Sequence, residues 1–346
     1  MKVRRGNGSA ERRPARKDSR EDFGALVEPF RRELLVHSYR MVGSFHDAED
    51  LVQETLLRAW RHRHTFEGRA PLRAWLYKIA TNASLDLLRR RPRRLLPEAT
   101  LSPGDPGRPA EPPSGEPIWL EPFPDDLLAD PAEIPEVRYA ARESITLAFM
   151  TALQALTPRQ RAVLILRDVL GFRAREVALL LGLTLPTVNS LLHRARVTLS
   201  RRYRPDPPAA TIAAPTGAIS AVLDRYVRAW ENGDVDGLVA LLKEDATVSM
   251  PPSPSWFAGR EAIRAFTAAR IFVRPNTWKL VPTRANAQPA FALYQRAGTG
   301  PFQAFGIQVL TIRGDRIAGI TTFISSDLVG RFGLASERSR RQEARG

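Results

Sequence analysis

Cysteine is absent from the 346 residues, which removes disulfides and thiolate metal sites at once and agrees with a reducing cytoplasm. Long apolar runs are missing too. Nothing approaches the roughly 18 consecutive apolar residues that a membrane-spanning helix needs, so no membrane insertion is expected. The basic N-terminus lacks the apolar segment of a secretory signal and reads as a tail. Histidine is scarce: His37, His46, His62, His64 and His193 are scattered. His62 and His64, two apart, fall on different sides of a helix and make no ligand pair. No histidine follows His193, and paired carboxylates at a recognisable spacing are lacking. Asp224, Asp245 and Asp327 read as caps or surface groups. No catalytic residue, metal site or cofactor is expected.

Charge is plentiful but unevenly placed. Residues 1–94 carry 22 Lys/Arg against 12 Asp/Glu, residues 95–141 carry 2 against 10, and residues 142–205 carry 11 against 3. Two basic blocks joined by an acidic strap suggest two separate contacts with a polyanion. The strap also holds 11 prolines, which forbid a long helix, so residues 95–141 are expected to be a linker. Within it Ile118–Leu128 is too apolar to be idle. It either packs back on a domain or fills a channel in a partner.

Local patterns divide the rest of the chain. Residues 1–20 form a charged, aperiodic tail. Phe23 to Val42 reads as one helix, broken by Gly43 and Ser44. In Asp47–Trp60, Ala48, Leu51, Val52, Thr55, Leu56, Ala59 and Trp60 recur at helical spacing and form an apolar stripe. Asp47 is the expected N-cap. The other face carries Asp50, Gln53, Glu54 and Leu57, and an apolar leucine among polar neighbours suits a docked partner. A Gly/Pro loop, Phe66–Pro71, leads to a helix over Leu72–Arg90. Its outward groups are Arg73, Tyr77, Lys78, Thr81, Asn82, Arg89 and Arg90, with Trp75 on the inward stripe. Aromatic, amide and cationic groups together suit single-stranded DNA.

From Arg142 to Tyr203 the chain reads as helical, with Thr157-Pro158 as a start signal. Ala174–Leu181, the turn Gly182-Leu183-Thr184 and Leu185–Ser200 have the proportions of a helix-turn-helix. Thr187, Asn189, Ser190, His193, Arg194 and Arg196 face outward from its second helix, where such groups read base edges or phosphates. After a second linker, Pro205–Pro215, two helices precede alternating segments. Of these, Ala304–Ile312 pairs with Arg316–Ile324 across Gly314-Asp315, and the whole predicts an α+β cone.

These stretches resemble known families. DAEDLVQETLLRAW is similar to region 2.2 of the extracytoplasmic-function group of bacterial sigma-70 factors, and the segment containing LRAWLYKIATN to regions 2.3 and 2.4. ALTPRQRAVLILRDVLGFRAREVALLLGLTLPTVNSLLHRAR resembles sigma region 4, with Leu191 where many relatives carry a basic residue. WENGDVDGLVALLKEDATVSMPP, with the order of elements around it, resembles the SnoaL-like superfamily. The resemblance implies core RNA polymerase and promoter DNA as partners. The clamp contact falls on Asp47, Asp50, Gln53, Glu54 and Leu57. The −10 contacts fall on Phe66, Arg73, Trp75, Tyr77, Lys78, Asn82, Arg89 and Arg90, and the −35 contacts on Thr187, Asn189, Ser190, His193, Arg194 and Arg196. A small ligand or an anti-sigma protein stays open as a further partner.

The expected architecture is multidomain. Two all-α domains at 21–94 and 142–204 flank the linker at 95–141. After the linker at 205–217, an α+β SnoaL-like cone-shaped barrel occupies 218–330, followed by a basic tail at 331–346. A one-component helix-turn-helix regulator with a ligand-binding C-terminal domain is the competing class. It has no need of the Asp47–Trp60 and Phe66–Arg94 segments.

Overall fold

The computed structural model describes residues 18–66, 71–91, 93–112, 119–128, 144–203 and 217–338. The expected N-terminal tail up to residue 17, most of the Phe66–Pro71 loop and all of Pro205–Pro215 therefore lie outside the described residues.

The first helical unit holds α1 (Asp18–Val27), α2 (Arg31–Val42), α3 (Phe45–His62) and α4 (Leu72–Leu88). The single helix expected over Phe23–Val42 is two, because Pro29 sits in a 3-10 turn at Glu28–Phe30 that separates them; a proline there withholds an amide the helix would need. Gly43, at φ 72°, closes α2, and Ser44 caps α3 by accepting a hydrogen bond from the Asp47 amide at 3.0 Å. Serine rather than Asp47 is thus the N-cap.

The second helical unit contains α5 (Leu147–Gln154), α6 (Pro158–Leu164), α7 (Ala174–Leu181) and α8 (Leu185–Arg202). Thr157 and Gln160 bond each other's backbone amides at the start of α6, a reciprocal capping box. Gly182, at φ 62°, and the capping hydroxyl of Thr184 make the turn between α7 and α8.

The C-terminal unit opens with α9 (Gly217–Asn232) and α10 (Val235–Leu241). β1 (Leu242–Ser249), β2 (Trp256–Ala258) and α11 (Arg260–Phe266) follow, then β3 (Trp278–Ala285), β4 (Gln288–Gln295), β5 (Phe302–Arg313) and β6 (Arg316–Ile324). The sheet order is β2-β1-β6-β5-β4-β3, antiparallel except for the parallel β1–β6 pair. Residues 331–338, expected to open the basic tail, are instead part of the fold. After α12 (Ser326–Arg331) the chain buries Phe332, and β7 (Glu337–Arg338) pairs with β5.

Both faces of this sheet are covered. On β4, Phe291 and Leu293 point to the side of α9–α11, while Ala290, Ala292 and Tyr294 join the core built by the two helical units. Strand residues alternate between faces, so a strand buried along nearly its whole length has a partner layer on each side. One layer belongs to the cone. The other is the rest of the protein.

The acidic strap is part of that packing. Leu120 and Phe123 are buried, Phe123 lies against Tyr39 and Phe45, and the Trp119 indole donates to the Pro252 carbonyl at 2.8 Å. Gly104 donates to the Trp256 carbonyl at 2.7 Å. Of the two fates open to Ile118–Leu128, its described residues, from Trp119 onward, pack back.

Candidate functional site

The exposed face of α3 carries Asp50, Gln53 and Leu57, with Leu57 43% exposed. Glu54, half-buried beside them, takes a hydrogen bond from the Arg58 guanidinium at 2.6 Å, and Arg58 also reaches Asp86 at 3.4 Å. Asp47 does not join them. It is only 5% exposed, and its two oxygens bond Arg91 at 2.7 Å and Arg94 at 2.9 Å. A helix N-terminal carboxylate so paired holds the chain leaving α4 against α3. Its place among the partner contacts is therefore corrected to a structural one. Glu49, not anticipated as a contact, pairs with Arg331 of the C-terminal unit.

Lys78 and Asn82 on α4, and Arg89 and Arg90 just past its end, are exposed, and Arg89 pairs with Asp86 at 2.7 Å. Trp75 is half-buried, with the Phe66 ring 5.2 Å away. Tyr77, expected outside, is 0% exposed. Its hydroxyl donates to Glu33 at 3.1 Å, and its ring meets the edge of Phe172, from the second helical unit, at 5.6 Å. Thr81 is buried as well and bonds His37 at 2.9 Å. Arg73 pairs with Glu33 at 2.8 Å and lies over both Tyr77 and Phe172. Of the expected DNA-facing groups, Arg73 and Tyr77 are roofed by Phe172 in the segment that enters α7, whereas Lys78, Asn82, Arg89 and Arg90 are open.

On α8, Thr187, Asn189, Ser190, His193, Arg194 and Arg196 are all exposed. Arg196 forms a two-pronged pair with Asp168, at 2.7 and 2.9 Å, so Arg194 is the more available cation.

The contacts that hold this arrangement were not anticipated from sequence. Helix α2 ends with carbonyls that have no partner within the helix. Arg161 of α6 donates to the Met41 carbonyl, and the Gln154 side chain reaches the Arg40 carbonyl at 3.5 Å. Arg161 also bonds the Leu153, Gln154 and Leu156 carbonyls and the Gln154 side-chain oxygen. A buried guanidinium at the negative end of a helix is electrostatically well placed; burial still lowers its pKa, to about 9.

Asn286 makes the second junction. It and Ala287, at φ 55° and 57°, form the two-residue turn between β3 and β4, the geometry of a type I′ hairpin. Its amide nitrogen donates to the Tyr39 hydroxyl at 2.8 Å and to the Ile145 carbonyl at 2.7 Å, and its oxygen accepts from the Phe123 amide at 2.8 Å. One buried side chain thus ties the C-terminal unit to α2, the strap and the entry to α5. An Asn in a left-handed turn was the available sequence signal, but its partners are all distant in sequence.

Inside the cone, Tyr226 donates to Gln308, whose amide donates to Thr322 at 2.9 Å. Burial pushes the Tyr226 pKa well up, so the group stays neutral. Among the described residues no three His, Cys, Asp or Glu side chains gather as a metal site needs, and no single helix is long and apolar enough to cross a membrane.

A helix-turn-helix with a polar, cationic outer face, joined to a second helical unit presenting an amide and cations, defines a nucleic-acid-reading protein. Comparison makes the class specific. Residues 26–94 match Sigma-70 region 2, residues 146–199 match Sigma-70, region 4, and residues 223–320 match the SnoaL-like domain. The ECF RNA polymerase sigma factor SigG of Mycobacterium tuberculosis (strain ATCC 25618 / H37Rv) is 45% identical over 326 residues, 92% of this chain and 85% of SigG. SigJ of the same strain is 32% identical over 221 residues, 64% of this chain and 62% of SigJ. The crystal structure of the Mycobacterium tuberculosis extracytoplasmic function sigma factor SigJ shares the fold, with a TM-score of 0.57 at 22% identity over 90% of this chain and 99% of that one. This chain belongs to the extracytoplasmic-function sigma factors of RNA polymerase, with a C-terminal SnoaL-like domain. It acts with core RNA polymerase in promoter recognition and transcription initiation.

Proposed function

We propose that this sigma factor works in the cytoplasm and docks on polymerase through Asp50, Gln53, Glu54 and Leu57. In this reading Asn82, Lys78 and the neighbouring cations of region 2 read the −10 element, and α8 reads the −35 element. The SnoaL-like domain regulates these contacts and catalyses no reaction.

The observation that carries the regulatory reading is the roof over α4. Elements named for positions 35 and 10 lie about 25 base pairs apart, which at about 3.4 Å per pair is roughly 85 Å along the duplex. Region 4 cannot lie on Tyr77 and Arg73 of region 2 and also sit at the far element. The arrangement bound by Arg161 and Asn286 is therefore a closed form, and promoter binding requires an open one. A cone interior whose bonded polar groups are Tyr226, Gln308 and Thr322, none of them ionised near neutral pH, supports a non-catalytic domain.

Run-off transcription with purified core polymerase tests the whole reading. The full chain should initiate from a matching promoter. Asn82→Ala should shift preference at one −10 base while leaving duplex binding by region 4 intact. Phe172→Ala should raise initiation by loosening the roof. Equal loss on every promoter variant would make Asn82 structural, and unchanged initiation by the Phe172 variant would remove the inhibitory role of the closed form.

A further inference from the structure

We propose that the junction of region 4, the strap and the SnoaL-like domain is a binding site for a small phosphorylated polyol, separate from the interior of the cone. A cavity of about 650 Å³ opens there, within the range of small-molecule sites. Its walls come from four places. Arg93 ends region 2, Glu98 lies in the strap, Arg202 ends α8, and Thr247, Thr311 and Arg313 lie on the face of the sheet turned away from the cone, where the exposed carboxylate of Asp245 also lines the cavity.

The lining selects the ligand. Three guanidinium groups from three separate segments converge on one cavity, and a guanidinium matches phosphate oxygens in two-pronged geometry. Arg93 and Arg202 take part in no ion pair among the described residues; the bond from Arg93 to the Ala155 carbonyl is long, at 3.4 Å. Threonine hydroxyls on the sheet wall suit hydroxyl groups. No aromatic ring lines the cavity among the described residues, so nothing there favours a flat base or a sterol. Glu98 supplies a second polar anchor. One of its oxygens takes a hydrogen bond from the Ser249 hydroxyl at 3.3 Å, while the other is buried without a partner. Burial raises its pKa, and its unpartnered oxygen is placed to accept from a ligand hydroxyl.

Because the walls belong to three units, the site exists only when they are assembled. A ligand bound there stabilises the assembled form by an amount that grows with the logarithm of its concentration above its Kd, and so opposes opening. This consequence rests on the closed-form reading above; the binding itself does not.

Isothermal titration of the full chain with ribose 5-phosphate, glycerol 3-phosphate, ribose and inorganic phosphate tests the site. A phosphosugar should bind, ribose should not, and Arg93→Met with Arg202→Met should weaken binding at least tenfold. Tyr226→Phe, inside the cone, should leave it unchanged, and a circular dichroism melt confirms that each variant is folded. Absence of heat with both phosphosugars overturns the proposal. So does equal affinity in the arginine variant, or inorganic phosphate binding as tightly as the phosphosugars, which would mark an adventitious anion only. Loss of promoter-duplex binding in the arginine variant, with no phosphosugar bound by either form, would assign these arginines to DNA instead. Failure on any of these counts leaves the transcription assays unaffected, so the two readings fall separately.

Discussion

Replacing Asn286 with alanine should open the molecule without unfolding its domains. The substitution removes both donors and the acceptor of a fully buried side chain. It strands the Phe123 amide and the Ile145 carbonyl, whereas the Tyr39 hydroxyl keeps its own bond to the Glu121 carbonyl at 2.7 Å. A buried polar group left without a partner costs about 1–3 kcal/mol, so two cost roughly 2–6 kcal/mol. Alanine in the left-handed turn adds about 1 kcal/mol more, since asparagine tolerates that conformation better. A total of about 3–7 kcal/mol corresponds to a shift in the closed-to-open ratio on the order of a hundredfold to a hundred-thousandfold. Hydrogen exchange resolved to single amides reads this shift. The Leu147 amide is the decisive reporter: its bond at 2.9 Å goes to the Gln288 side chain rather than to Asn286, so it quickens only if the junction itself opens. The Ala292 amide, in the middle of the sheet, should not change. Asn286→Gly keeps the turn unstrained and should show most of the effect. If Leu147 exchanges within threefold of its original rate in both variants, Asn286 does not hold the units together.

Three further outcomes follow from the same contacts. Gln53→Ala with Glu54→Ala should weaken core-polymerase binding at least tenfold in a pull-down titration. The melting temperature should barely move, because the exposed pair lost with Glu54 contributes about 0–1 kcal/mol. Arg161→Met leaves several buried carbonyls without a donor, each at about 1–3 kcal/mol, and should lower urea stability by about 3–5 kcal/mol once the cost of burying the guanidinium is relieved; a loss under 1 kcal/mol would show those carbonyls finding other donors. Burial, reinforced by Arg40 and Arg73, lowers the His37 pKa from 6.5 to about 3, so the folded chain keeps this histidine neutral. Its contribution is complete above pH 6.5, and below that the unfolded chain takes up a proton the folded chain refuses. Stability should fall by up to about 1.4 kcal/mol per pH unit as pH drops toward 3, and His37→Gln should flatten that slope in urea titrations run at pH 7, 6 and 5.

What sequence could show was what repeats or stays local. The helical stripes of α3 and α8, the break at Gly43, the Thr157 cap and the hairpin across Gly314-Asp315 all depend on neighbours within a few residues. The six outward groups of α8 were legible for the same reason, since a helix with one apolar stripe leaves little choice for the rest. Tyr77 and Asp47 were misplaced because long-range partners decide them. Tyr77 is covered by Phe172, 95 positions later in the chain, and Asp47 is neutralised by arginines beyond the end of the next helix. The strap misled differently. Among its described residues there is no α-helix, but an extended chain satisfies its backbone against a neighbouring domain as readily as against water, and Trp119 and Phe123 decide in favour of the domain.

The β4 strand shows why opening must be driven by partners. Its outer face presents Ala290, Ala292 and Tyr294 to the helical units, and two of the three are small enough for close backbone approach. The same apolar cluster runs without a break from α2 through Phe123 to α5 and onto β4 and β5, so this boundary is packed like the inside of a domain. Separating it exposes apolar surface to water at about 25 cal/mol for each Å², in addition to the bonds of Asn286 and Arg161. A partner shifts such an equilibrium only by binding the open form more tightly than the closed one. On the reading proposed above, the promoter meets that condition and the polymerase clamp does not. The residues of α3 proposed to dock are largely exposed already, so that reading lets the clamp engage the closed form. The covered part of α4 and the distance between the two promoter elements demand the open form, so DNA supplies the differential. The proposed reading thus orders the events as docking first and opening on the promoter, and it requires the Glu49–Arg331 pair, which ties α3 to the C-terminal unit, to break on opening.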